Sequence, residues 1–446
     1  AARDWLASLM LGSSWGQTGN NQGIGNYAWQ ATYATGKVVV DASTSTALYI
    51  ASLSNANLQW ETTVTTDIGL DFGLFDNRLT GEVDFYDKKT TDILYTPSIY
   101  LTMGLVSGVP ENCGEVRNRG VELSLKWNSS AGKDFHYYVG VNFSYNANKV
   151  TEFKGALRKY WDDGVYRNNL TDVSDAWGAG RLCEGRMLGE TYMRRVYRGS
   201  GEGYTGGAVD IHAGPRDGMI RTPADLQWVQ AMIDSGYSFN GVTTIAKDQL
   251  WYGDLLYADR NGDGNYGDDN DQDFTGHSAL PRYNVGLNLG FSYKNFDFSM
   301  LWAGALGFHL NWSTDYYNST LVSHGYGIVS HIADNHYFFD PQNEADARTN
   351  VGGKYPRLTY GTTLNNRLSS DFYEYRGDYL KLKNVQIGYT LPERWTRKFL
   401  VSKLRAYVSM ENLLTITSYP GLDPEIGTAI GYPLMRQISF GAQITF

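Results

Sequence analysis

The chain has 446 residues, 14% of them aromatic and 19% charged, with 50 glycines and 11 prolines, a balance that excludes a disordered chain. No run of ~18 apolar residues marks a membrane helix, although alternating barrel strands escape that test. With 38 basic against 47 acidic residues the net charge is -9, which argues against a nucleic-acid partner, and two cysteines are too few for a disulfide scaffold or a thiolate zinc site.

Alternation of apolar and polar residues with period two predicts ten strands along the chain. The first covers 9–16. Ile68, Leu70, Phe72 and Leu74, followed after Asp76-Asn77 by Leu79, Val83 and Phe85, predict a hairpin of strands 66–75 and 78–95. Val121, Leu123, Leu125 and Trp127 with Tyr137, Val139, Val141 and Phe143 predict a second, 115–127 with 135–150. Residues 151–282 are too many for an idle connection, so this segment is expected to be an ordered, functional insertion, with a helix over 223–235. A third hairpin, 283–293 with 296–304, turns at Lys294-Asn295. In strand 376–391, Leu380 and Leu382 switch parity to Val385 and Ile387, which predicts a bulge near Lys383-Asn384. Strands 403–416 and 436–446 complete the series, the last alternating Ile438, Phe440, Ala442, Ile444 and Phe446 with polar residues.

The polar sets carry Asp67, Asp71, Glu82, Asp84, Glu122, Lys126, Arg405 and Glu411, which do not belong in a packed sandwich core. A soluble sandwich would turn those faces to water. An all-β, antiparallel transmembrane β-barrel would turn them to a wet lumen and the apolar faces to lipid. Parity places the short turns on one side and the connections 17–60, 151–282 and 305–370 on the other, as long extracellular loops.

Nine strings then carry a family resemblance. They are Trp15-Gly16-Gln17-Thr18-Gly19-Asn20, Leu58-Gln59-Trp60-Glu61-Thr62-Thr63 leading into Ile68-Gly69-Leu70-Asp71, Asp84 to Asp92, and Gly114 to Leu123. Further on come Asp259 to Gly264, Tyr379 to Val385 with Gly388-Tyr389-Thr390-Leu391-Pro392, Glu411 to Thr415, Gly421-Leu422-Asp423-Pro424-Glu425 and the terminal Phe446. In this order they resemble the SusC/RagA-type TonB-dependent outer-membrane transporters of Gram-negative bacteria. The resemblance implies a plugged barrel of about 22 strands, of which residues 1–446 would be the C-terminal portion, a fragment or a cleaved half. The N-terminal plug, the TonB box and the first half of the barrel are not matched by anything in this sequence. It implies active import of an oligomeric nutrient, glycan or peptide, through a complex with a SusD-like surface lipoprotein, energised by the TonB complex acting on the missing N-terminal region. Outer-membrane lipid would surround the wall. A surface carbohydrate-binding adhesin or lectin, and a passive porin, are the competing functions.

Asp259, Asn261, Asp263 and Asn265 occupy positions 1, 3, 5 and 7 of an oxygen-ligand calcium loop with Gly264 at 6. Position 12 is Asn270; an insertion at Gly267 relative to the family string makes Asp271 the closing ligand of a structural calcium site. A polar turn needing no ion has the same composition. The seven histidines show no metal-binding spacing, and no catalytic motif occurs, so no enzymatic activity is expected. Cys113 and Cys183 fall on the outer side, either bridged or as separate thiols. Substrate-binding residues are not readable from the sequence: Trp161, Trp177, Trp302, Trp312, Tyr316 and Tyr317 could stack on sugar rings or peptide side chains, or pack in girdles and loops. Phe446, an aromatic end to an amphipathic last strand, resembles the assembly signal of outer-membrane barrels.

Overall fold

The computed structural model describes residues 5–22, 25, 29–40, 43–52, 55–95, 110–153, 160–162, 165–167, 184–312, 328–359, 365–428 and 432–446. Ten strands form one sheet: β1 Leu6–Asn20, β2 Glu61–Leu74, β3 Leu79–Tyr95, β4 Glu111–Ala131, β5 Phe135–Phe153, β6 Tyr283–Tyr293, β7 Phe296–Leu306, β8 Tyr379–Thr390, β9 Lys403–Thr417 and β10 Gln437–Thr445. Each pairs antiparallel with the next in the chain, so the sheet is an up-and-down wall whose edges are β1 and β10.

All ten strands lie where the alternation places them, and β2, β4 and β5 run further at the end of the long connections. A barrel strand needs only ~9–11 residues to cross a bilayer, whereas β4 has 21 and β5 has 19. The wall therefore continues past the membrane on that side. The bulge falls as expected: Leu301 faces Asn384 while Trp302 faces Leu382, so Lys383 is the extra residue against β7, whereas toward β9 the shift runs the other way, with Asn412 and Leu413 against Lys383. An additional hairpin, Thr32–Val40 with Ser43–Ser52, fills part of the 17–60 connection. Its Val38-Val39-Val40 run has no alternation, and that is why period-two reading missed it.

At the short-turn end, Phe75, Asp76 and Asn77 all adopt positive φ, and Lys294 does so in the two-residue turn between β6 and β7. Left-handed turn residues match the twist of the strands they join.

The closely packed core lies in the outer connections. Helix α1, Pro223–Asp234, starts with a capping box in which Thr222 and Asp225 satisfy each other's backbone amides, and Pro223 sits where no amide is needed. Its buried Trp228, Val229 and Met232 pack with Met219, Phe239, Leu255 and Tyr257, and with Tyr337 from the connection that follows β7. Asp254, almost wholly buried, is held by the Arg357 guanidinium at 2.6 and 2.8 Å and by Asn366 at 2.7 Å. Burial pushes the Asp254 carboxyl up, against the lowering effect of Arg357 and Asn366. The connections 184–282 and 328–376 are thereby locked into one outer body.

Candidate transport surface

The register sorts the wall into two faces. One row runs Phe72, Gly81, Leu125, Val141, Leu287, Trp302, Leu382 and Leu414 across eight strands. The next row, on the opposite face, runs Asp71, Glu82, Ser124, Asn142, Gly286, Ala303, Lys381 and Thr415. Along β6 the apolar face extends from Tyr283 to Tyr293, which at ~3.4 Å per residue and a ~40° tilt spans about 26 Å, the height of a barrel's lipid-facing band. Large apolar side chains on this face, among them Ile68, Phe85, Val141 and Phe440, are exposed. A contiguous exposed apolar face of that height fits lipid.

The polar face carries an unusual concentration of carboxylates. Asp71 stands directly across from Glu82, and Asp84 directly across from Glu122. Opposed like charges destabilise a sheet, so their retention calls for water or a polar occupant in front of them. Glu82, Asp84 and Glu122, with Ser124, Asn142 and Ser144, line a cavity of about 440 Å³ on this face.

A second polar feature joins two strings that are far apart in the sequence. Lys381, on the polar face of β8, is almost fully buried by the segment after β9: its ammonium donates to both oxygens of Asp423 at 2.6 and 2.7 Å and to Glu425 at 2.7 Å. Lys383 donates to both oxygens of Glu425 at 2.6 Å. Lys381 and Lys383, two residues apart on β8, thus reach the same carboxylate. Burial would raise the Glu425 carboxyl, but the two lysines outweigh it and hold it below the ordinary value. This segment thus folds against the inner face of the wall.

The loop from Asp259 is closed by its own backbone. Asp259 accepts the amides of Gly262 and Gly264 at 2.6 and 2.9 Å, Asn261 that of Asp263 at 2.9 Å, and Asp263 that of Asn265 at 2.8 Å. Asn265 turns its oxygen to Ser238 and Gly241. Asp271, fully buried, accepts from Arg260, Asn261 and Gly267, and burial pushes its carboxyl up to about 6 in spite of those three amides. Gly264 has φ 84° and Gly267 φ 86°, and at Gly267 a Cβ would meet Tyr257 at 2.7 Å, so the turn depends on both glycines. Among the described residues no group of three or more His, Cys, Asp or Glu side chains is arranged to hold a metal ion. All five side chains read from the sequence as oxygen ligands accept backbone amides, and Asn265 also accepts the Ser238 hydroxyl.

Of the other candidates, Cys113 is a buried free thiol and Cys183 lies outside the described residues. Trp302 belongs to the apolar face, and Trp312 is buried against His331 with ring centroids 4.9 Å apart, so neither is presented to the lumen. The side chain of Trp161, and all of Trp177, Tyr316 and Tyr317, lie outside the described residues. Phe446 follows β10 directly and is 87% exposed.

Residues 3–244 match the family described as TonB dependent receptor-like, beta-barrel, and the chain belongs to that family. It is 29% identical to the TonB-dependent receptor P3 of Formosa agariphila, over 97% of this chain and 39% of that protein. With the TonB-dependent receptor SusC of Bacteroides thetaiotaomicron it shares 24% identity over 99% of this chain and 38% of that one. The structure of the RagAB peptide transporter superposes with a TM-score of 0.66 at 25% identity, over 99% of this chain and 41% of that one. The chain therefore spans about two fifths of the length of these relatives. The two-faced sheet is the wall of an outer-membrane β-barrel, with its apolar face in lipid and its polar face on the lumen.

Sequence reading did not find the contact between Lys381, Lys383, Asp423 and Glu425. Its members were visible as two separate strings, but a pairing across 42 residues has no period to reveal it.

Proposed function

We propose that this chain is the C-terminal portion of an outer-membrane importer of oligomeric nutrients, glycan or peptide, that works with a SusD-like surface lipoprotein and is energised through TonB. The observation that carries the reading is the polar lumen wall, with its opposed carboxylates and facing cavity, below an outer body packed around α1. A wet, charged wall suits hydrated, hydrogen-bonding cargo better than an apolar solute. The remaining strands of the longer protein would pair with the edges of β1 and β10, and its plug would occupy the lumen. Import then depends on differential binding between closed and open states rather than on bond chemistry.

The test uses cells carrying the full-length protein, offered labelled oligosaccharide and oligopeptide mixtures with and without a proton uncoupler. Uptake abolished by the uncoupler, together with a lipoprotein that copurifies in detergent, is the expected result. Uptake that survives the uncoupler would replace the importer with a passive porin. Surface binding without uptake would favour an adhesin.

A further inference from the structure

The lipid-facing side of the wall changes character just beyond its apolar band. The uppermost apolar row is Ile68, Phe85, Val121, Tyr145 and Tyr283. Two residues further out on the same face comes Trp15, Thr66, Asp87, Arg119 and Ala147, and two further again Gln17, Val64, Lys89, Arg117 and Lys149. Aromatic side chains, then cations, is the order met on passing from hydrocarbon into headgroups. Each two-residue step rises ~6.7 Å along a strand. At a ~40° tilt the cations stand roughly 5 and 10 Å beyond the apolar band, at the depth of the headgroup layer. This is the end of the wall that carries the long connections, hence the outer leaflet.

Four cations, Lys89, Arg117, Arg119 and Lys149, share this patch with three carboxylates, Asp87, Glu115 and, directly across from Glu115, Glu152. That excess of positive charge runs against a chain whose net charge is -9. The arrangement puts the cations outermost: the Lys89, Arg117 and Arg119 side chains are 45%, 39% and 60% exposed, against 32% and 18% for Asp87 and Glu115. Asp87 accepts from Arg117 at 2.5 Å and from Arg119 Nε at 3.0 Å, and so fixes two guanidinium groups side by side. Among the described residues the terminal nitrogens of Arg119 have no partner, and its side chain is the most exposed of the three paired cations. Lys149 is exposed across from Arg117. Guanidinium and ammonium groups exposed together at headgroup depth suit the phosphate groups of a lipid headgroup.

We propose that Lys89, Arg117, Arg119 and Lys149 form a binding patch for the phosphate groups of the phosphorylated glycolipid in the outer leaflet. Asp87 and Glu115 are positioning residues that hold the cations without covering them. The patch does not depend on the import reading, because it needs only the wall and its orientation in the outer membrane.

The test uses full-length protein in mild detergent, with bisphosphorylated lipid A and its enzymatically dephosphorylated form as probes, binding being read by native mass spectrometry. Wild type is expected to retain the phosphorylated form. The Arg119→Gln/Lys149→Gln double variant is expected to lose roughly tenfold or more in affinity, while Lys126→Gln on the lumen face changes nothing. Heat-modifiability on a gel verifies that each variant is folded, and the single Lys149→Gln, expected to weaken binding less, replaces a double variant that is not. Equal binding of both lipid forms by wild type, or equal retention by wild type and folded variants, would overturn the proposal. So would a change in self-association with lipid retention unaltered, which would make the patch a protein contact.

Discussion

Lys381 on β8 and Asp423 beyond β9 form an ion pair on the lumen side of the wall, with the lysine side chain 1% and the aspartate 12% exposed. Removing one partner of a buried pair leaves an uncompensated charge, at a cost of about 3–5 kcal/mol. Lys381→Met is therefore expected to release residues 419–427 from the wall, seen as faster amide exchange there. Lys383→Met removes a pair that is about one quarter to one third exposed, and the expected loss is at most about 1 kcal/mol. Equal loosening by the two variants would show that the buried pair is not the anchor.

The same contact sets a pH dependence. Glu425 has a depressed carboxyl in the folded protein, so its contribution is fully present above the ordinary glutamate range and is lost as pH falls through the folded value. Amide protection over 419–427 is expected to be flat from neutral pH down to about 5 and to fall below about 4. Glu425→Gln should flatten that acid limb. Protection that declines already between pH 7 and 6 would assign the dependence to another group.

Asp254 is the junction of the outer body. Asp254→Ala leaves Arg357 and Asn366 without their shared acceptor, an expected cost of about 3–5 kcal/mol. Exchange over 250–258 should accelerate while the barrel keeps its heat-modifiable migration. Loss of both together would mean that the outer body and the wall unfold as one unit.

Neighbouring residues on β4 test the assignment of the faces. Leu125→Arg puts a charge on the apolar row near mid-membrane, where it costs about 2–4 kcal/mol, and is expected to reduce assembly in the outer membrane severely. Ser124→Arg points to the lumen beside Glu82 and should assemble normally. The opposite pattern in membrane fractions would invert the wall.

Phe446 follows the edge strand β10 on its lipid-facing row, so its deletion is expected to leave the melting temperature in detergent unchanged. Assembly in cells should fall, which tests the resemblance of this aromatic end to the assembly signal of outer-membrane barrels. Normal surface levels of the truncated chain would remove that role.

The strands were legible from sequence because a wall between lipid and water imposes a strict period of two, and a slip of one residue would expose every side chain to the wrong solvent. For that reason Tyr283 to Tyr293, and even the bulge at Lys383, could be placed from the alternation alone. The hairpin at 32–52 has no such boundary and left no alternation. The loop at Asp259 matches a cation loop by spacing, and the fold adds that its oxygens accept from backbone amides, a contact the spacing alone does not show. Sequence by itself determined which residues face lipid and which face water, since that depends on neighbours two residues apart. Only the tertiary structure decided that Lys381 meets Asp423, that Asp254 ties two connections together, and that Lys149 stands across from Arg117. Those contacts join segments whose separation along the chain carries no periodic signal, and packing alone selects them.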